Sequence, residues 1–178
     1  MTINIDKLKN GIRVVTEEIP SIESVSVGIW INAGSRNEKK IENGIAHFLE
    51  HMAFKGTEKR SALQIAEEIE SVGGFINAYT SREITCYYAK VLKNHLPLAV
   101  DILSDIISNS TFHEQEIEIE KGVIIQEIGQ MKDTPDDIIF ELLQKEAFAD
   151  TELGSCLLYT SDAADEGLGV DLGGRRII

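Results

Sequence analysis

The chain has 178 residues, a hydrophobic share of 43% and a formal net charge of -13. That is enough chain for one globular domain with its own core, and the acidic balance argues against a nucleic-acid surface, which needs clustered Lys and Arg. Cys86 and Cys156 form no C-x-x-C pair, so neither a disulfide framework nor a cysteine-rich zinc module is signalled.

The first residues, Met1-Thr2-Ile3-Asn4-Ile5-Asp6, lack the apolar core of a secretory signal and the Arg-rich pattern of a transit peptide. No apolar run is long enough to span a bilayer. A soluble, cytoplasmic protein with no membrane partner is the expectation. Residues 12–18 and 24–33 are rich in Val, Ile and Trp and read as two strands with a turn near Pro20-Ser21. A helix is expected over 43–55, where Ile45, Phe48, Leu49 and Met52 recur at helical spacing and Gly56 stands as a C-cap. A second helix is expected over 61–73, opened by a Ser61/Gln64 capping box and stopped by Gly73-Gly74.

Residues 75–81 and 84–92 are strand-like and joined through Arg82-Glu83 as a hairpin, with Cys86 a buried, inert thiol inside it. Helices follow over 96–108, 114–131 and 135–149, the last two divided at Pro135. This order predicts an α+β fold, a largely antiparallel sheet packed against helices, rather than a doubly wound sheet. Residues 155–178 carry Gly167, Gly169, Gly173 and Gly174 and keep no periodicity, so no structure is assigned to them.

The chemistry is carried by His47-Phe48-Leu49-Glu50-His51. Histidines at i and i+4 project from one helix face, and two imidazoles so placed can ligate one tetrahedral ion. Glu50 projects near the same face, where a carboxylate can take a proton from an activated water and pass it to a leaving amine. A ferritin-like di-iron site would need Glu-x-x-His pairs, and no histidine here has Glu three residues before it.

A catalytic zinc needs a third protein ligand and one open position. The candidates are Glu114, Glu116, Glu118, Glu120 and Glu127, most of which fit a solvated acidic face. Glu120 and Glu127 lie two turns apart on one face, and Glu127 is flanked by Ile124, Ile125 and Ile128. Spacing alone leaves Glu127 as one candidate among several. A structural zinc site would need a fourth ligand; Cys86 and His113 are the candidates, neither at a spacing that suggests it.

The run Gly44-Ile45-Ala46-His47-Phe48-Leu49-Glu50-His51-Met52-Ala53-Phe54-Lys55-Gly56-Thr57 resembles the signature of the pitrilysin-type (M16) metallopeptidases. Three more stretches agree with it: Gly73 to Thr80 with Glu83, Thr85 and Tyr87-Tyr88; Phe112 to Glu118; and Glu120 to Ile128. The resemblance covers about residues 1–154 and implies a single M16-type half. It implies zinc-dependent peptide hydrolysis with one Zn2+ held by His47, His51 and Glu127, and Glu50 as base. It further implies Glu120 as an auxiliary acid, and Asn77 and Ala78 on a strand that pairs with the substrate backbone, a β-augmentation. Manganese or cobalt would fit the spacing as well as zinc.

The family's working unit is a tandem pair of homologous domains, so the resemblance implies a peptide substrate and a second homologous domain or subunit as partners. Residues 1–154 are therefore expected to be the zinc-binding domain, and 155–178 a tail foreign to the family, disordered or artefactual. The alternative is a non-catalytic structural or partner subunit of the family. Such members lack part of the motif, whereas His47, Glu50, His51 and Glu127 are all present here.

Overall fold

A computed structural model describes residues 3–149 and 151–154. The tail expected at 155–178 lies outside the described residues. The chain opens with β1 (Ile3–Lys7) and β2 (Arg13–Glu17), an antiparallel pair in register Ile5↔Val15. β3 (Ser24–Ile31) then leads to α1 (Ile45–Ala53) and α2 (Ala62–Glu70). The hairpin β4 (Phe75–Thr80) and β5 (Thr85–Leu92) follows, then α3 (Leu96–Ser108), α4 (Glu114–Asp133) and α5 (Pro135–Ala147). The fold is α+β with antiparallel sheets, as the order of elements predicts.

β2 and β3 are both strands, but they belong to different sheets. β2 pairs with β1, whereas β3 joins a three-stranded sheet of order β3-β5-β4. β5 is central, with Ala89 facing Val27 on one side and Ile76 on the other. β4 is an edge strand of that sheet.

One face of the sheet is covered by α2 and α3. Ile65 and Ile69 of α2 and Ala99, Ile102, Leu103 and Ile106 of α3 pack on Tyr87, Ala89 and Val91, all buried. Each large aliphatic side chain so enclosed contributes about 1.5–3 kcal/mol of burial. Along β3 the alternation is clean: Val27, Ile29 and Ile31 pack toward this core while Trp30 is 63% exposed.

Local chemistry sets the helix ends. The Ser61/Gln64 capping box forms as expected, with Ser61 N donating to Gln64 Oε1 at 2.8 Å and Gln64 N to Ser61 Oγ at 3.2 Å. α1 begins after Gly44, whose φ of +93° suits a residue without a Cβ. The carboxylate of Glu38 accepts from the Gly44 amide at 2.6 Å and the Ala46 amide at 2.8 Å. It satisfies two donors that the first turn leaves orphaned and sits at the positive end of the helix dipole. At its other end α1 stops earlier than the glycine suggests. Phe54 is the C-cap, and Gly56, at φ +129°, instead bridges to Ser61 in the turn that leads into α2.

That turn is fixed to α3 by Arg60. Its Nη1 lies 2.9 Å from Asp105 Oδ2, its Nη2 2.5 Å from Asp101 Oδ2 and its Nε 3.0 Å from Glu68 Oε2. Thr57 Oγ1 and Asn109 Nδ2 also donate to Asp105, each at 2.8 Å. Asp105 is 2% exposed, and its charge is met on every side. The effect is to hold the exit of α1 against the sheet-covering layer while α4 packs along α1.

Candidate metal centre

α1 and α4 bring three donors to one place. His47 Nε2 and His51 Nε2 are 3.1 Å apart. Glu127 Oε2, from α4, lies 3.7 Å from the first and 3.6 Å from the second. A triangle with these edges has a centre about 2.0 Å from every corner, the length of a zinc bond to nitrogen or carboxylate oxygen. Among the described residues this is the one group of three His, Cys, Asp or Glu whose donor atoms converge, all within 4.8 Å. Cys86, buried in β5, and His113, exposed before α4, are not part of it.

The environment favours lone pairs over protons here. Burial, with His51 beside it, pushes the His47 imidazole down to about 4, so it is neutral at neutral pH. His51 Nδ1 lies 2.8 Å from Glu120 Oε1. A carboxylate only accepts, so Nδ1 carries the hydrogen and Nε2 presents its lone pair toward His47 and Glu127. Two imidazole nitrogens and a carboxylate oxygen aimed at one point repel each other unless a cation lies between them. The donor set therefore fits a divalent ion of borderline softness, and its nitrogen content favours zinc over magnesium or calcium.

Glu120 is 3% exposed and is not itself in the triangle. It touches His51 through one oxygen and Lys55 Nζ through the other, at 2.5 Å. Burial works to raise its carboxyl, but Lys55 and His51 outweigh burial and hold it below the usual range. Helix periodicity places it correctly: Glu120, Ile124, Ile128 and Met131 form the buried face of α4, and Glu127 stands beside that stripe, partly exposed. Glu114 and Glu118 lie on the solvated side.

Glu50 shares an open cleft of 280 Å³ with His51, Phe54, Lys55, Asn77 and Glu120. Its Oε2 is buried and makes no hydrogen bond. Burial raises its carboxyl above the ordinary value, with Glu127 adding to this and Thr80 and His51 opposing it. A raised carboxyl is a stronger base, as proton abstraction requires. Tyr87 lies under the same residue; burial and the charge of Glu50 push its phenol up to about 12.

The two strand residues part company. Asn77 is exposed and faces the cleft, whereas Ala78 packs its side chain toward the core and offers only backbone, its amide donating to Asn77 Oδ1 at 2.8 Å. No role is foreseen for Lys55, Thr80, Tyr87 or Glu38, though the first three fall in the stretches that carry the family resemblance. Lys55 follows His51 by four positions, a helical spacing; Glu38 carries no local signal. A larger depression of 470 Å³ lies at the β4–β5 turn, lined by residues 80–84, and holds no metal-type donor cluster.

A pair of histidines one turn apart on α1, closed by a glutamate from α4 beside an antiparallel sheet, is a candidate helix-borne metal site carried on an H-x-x-E-H motif. The sequence profile described as "Insulinase (Peptidase family M16)" matches residues 13–161, and the chain belongs to that family. It is 49% identical over 154 residues to the uncharacterized zinc protease YmxG of Bacillus subtilis, covering 86% of this chain and 38% of that protein. It is 52% identical over 151 residues to the mitochondrial-processing peptidase subunit beta of Rattus norvegicus, covering 85% of this chain and 31% of that one. The crystal structure of a protease from Helicobacter pylori superposes with a TM-score of 0.85 at 25% identity, over 91% of this chain and 39% of that one. The chain thus spans well under half the length of these relatives.

Proposed function

We propose that residues 1–154 form the zinc-binding half of an M16 metalloendopeptidase, with His47, His51 and Glu127 holding one Zn2+ and Glu50 acting as general base. The observation that carries this reading is the convergence of the three donors within 4.8 Å beside a cleft that contains Glu50. Relatives at 49% and 44% identity bear the name zinc protease, which supports the choice of metal.

When bound, the ion supplies Lewis acidity toward water and toward a peptide carbonyl. Glu50 accepts the proton of the attacking water at its carboxylate and returns it to the nitrogen of the departing amine. Glu120 orients His51. β4, at the edge of its sheet, offers backbone groups to an extended peptide, and its Asn77 lines the same cleft as Glu50. Such recognition makes little demand on the substrate's sequence.

The partner in this reading is a second homologous domain or subunit that closes over the peptide. The 178-residue chain by itself binds metal and hydrolyses peptides weakly or not at all. Titration with zinc tests the site: one ion bound per chain is expected, and loss of that binding in His51→Ala. Zinc uptake unchanged by His51→Ala would sink the ligand assignment. For the base, the chain is fused to the remaining length of the Bacillus relative. Glu50→Gln in that fusion should keep its zinc and lose hydrolysis; a fully active Glu50→Gln would refute the role.

A further inference from the structure

The geometry points to Lys55 as a positioning residue for the metal centre, acting through Glu120 on the imidazole of His51. This rests on the reading of His51 as a zinc ligand.

Lys55 lies just past the C-cap of α1, its amide donating to Met52 O at 3.1 Å. Its backbone is therefore fixed to the helix that carries both histidines, one turn beyond His51. The ammonium reaches across to α4, where Nζ lies 2.5 Å from Glu120 Oε2, while Glu120 Oε1 lies 2.8 Å from His51 Nδ1. One oxygen of the carboxylate thus accepts a hydrogen bond from His51 and the other faces Lys55 as an ion pair, and both partners come from the end of α1. A carboxylate tied only to His51 could rotate about its terminal torsion, a broad and roughly two-fold one. Fixing the second oxygen removes that freedom. It sets the plane in which His51 Nδ1–H must donate, and so the direction in which Nε2 points.

Burial of the Glu120 charge favours the same pairing. The Glu120 side chain is 4% exposed, and a carboxylate so enclosed is costly unless paired. Lys55 Nζ is the cation that meets it, and the Lys55 side chain is 29% exposed at the cleft wall. His51 is left as the hydrogen donor to an anion, which makes its Nε2 the more basic ligand. The ligand-orienting group is therefore a three-member chain, Lys55–Glu120–His51, rather than the carboxylate alone.

The experiment compares the 178-residue chain with Lys55→Met, Lys55→Arg, Glu120→Gln and Lys55→Met/Glu120→Gln. Three quantities are read: zinc affinity by competition with a chromophoric chelator, the His51 tautomer in zinc-free protein by nitrogen-15 NMR, and thermal unfolding. Lys55→Met should weaken zinc, by no more than the about 10–100-fold expected for losing Glu120, the hydrogen-bond partner of His51. It should also shift His51 from the single Nδ1–H tautomer to a mixture. Lys55→Arg, which keeps the charge, should bind within about threefold of the parent. The double variant should bind no more weakly than Glu120→Gln, because both act through one group.

A purely structural lysine would lower the unfolding temperature and leave zinc affinity and tautomer untouched, and that result overturns the proposal. So does a double variant whose losses add in full. Should Lys55→Met fail to fold, Lys55→Gln carries the same readouts. A parent chain that takes up no zinc removes the metal reading and this role with it. A parent that binds zinc no better than Lys55→Met removes the role of Lys55 alone.

Discussion

Glu127 Oε2 lies 3.6 Å from His51 Nε2, on a different helix and far along the chain. The two are held at that distance by the packing of α4 on α1 and by Glu120 of α4, which meets His51 and Lys55 at the end of α1. The centre is therefore as precise as that helix pair. Replacing Glu127 by Gln keeps the shape and removes the anionic donor. Zinc affinity should fall by more than the about 10–100-fold lost with an outer hydrogen-bond partner, measured by chelator competition, while the unfolding temperature of the metal-free protein stays near that of the parent.

Glu38 offers a test of how α1 is started. Its carboxylate meets two amides of the first turn, at 2.6 and 2.8 Å. Glu38→Ala should cost about 1 kcal/mol, the usual worth of a helix cap, measured as a lowered urea midpoint with an unchanged slope. Glu38→Gln keeps an acceptor but loses the charge at the helix N-terminus, so it should recover part of that loss. A variant as stable as the parent would show that the amides find other acceptors.

Arg60 and Asp105 make the stability of the fold sensitive to acid. Burial works to raise the Asp105 carboxyl, yet Asn109, Thr57 and Arg60 together hold it below the ordinary value. A carboxyl depressed in the folded state stabilises the fold above the unfolded-state value of about 3.9 and loses that contribution as pH falls through the lower folded value. Asp105→Asn should thus be less stable than the parent at pH 7, and the gap should narrow below about pH 4. Denaturant titrations at pH 7 and pH 3 check this. A gap of constant size at both would mean that the charge of Asp105 is not what matters.

Asp105→Ala is a harsher change. It removes one of the three carboxylates around Arg60 and leaves Thr57 Oγ1 and Asn109 Nδ2 without their acceptor, with a cavity between them. With Glu68 and Asp101 still on Arg60, the cost should lie below the about 3–5 kcal/mol of leaving a buried charge unpaired. The turn between α1 and α2 should loosen with it, seen as faster amide exchange over residues 56–61. Arg60→Met, which removes the cation and keeps the stem, leaves Asp105 buried without its ion pair and should be destabilising too.

Much of the molecule is written locally. The 3.6-residue recurrence of apolar positions marks α1 and α3 to within a few residues, because each buries one stripe. Ser61 and Gln64 cap α2 through contacts only three residues apart. The β4–β5 hairpin is legible for the same reason: its two strands are joined by a four-residue turn, so proximity in sequence forces proximity in space. The histidines at 47 and 51 and the glutamate at 50 need nothing but a helix to stand on one side together.

What the sequence could not settle by periodicity was everything that joins distant segments. Val and Ile content marks β2 and β3 as strands, but strand propensity carries no address. β2 pairs with β1, both largely exposed, whereas β3 pairs with β5 on the sheet that α2 and α3 cover. Among five glutamates of one acidic stretch, residue spacing left Glu127 one candidate of several, and its resemblance to known metallopeptidases rather than its own pattern singled it out. Tertiary structure supplies the physical reason: only Glu127 reaches the open side of the two Nε2 atoms, while Glu120, one face-repeat earlier, arrives behind His51 and meets Lys55. The sequence by itself determined the helix that offers two ligands and a base. The packing of α4 on α1 decided which carboxylate closes the site and which one aims it, since both outcomes depend on distances that exist only once the two helices meet.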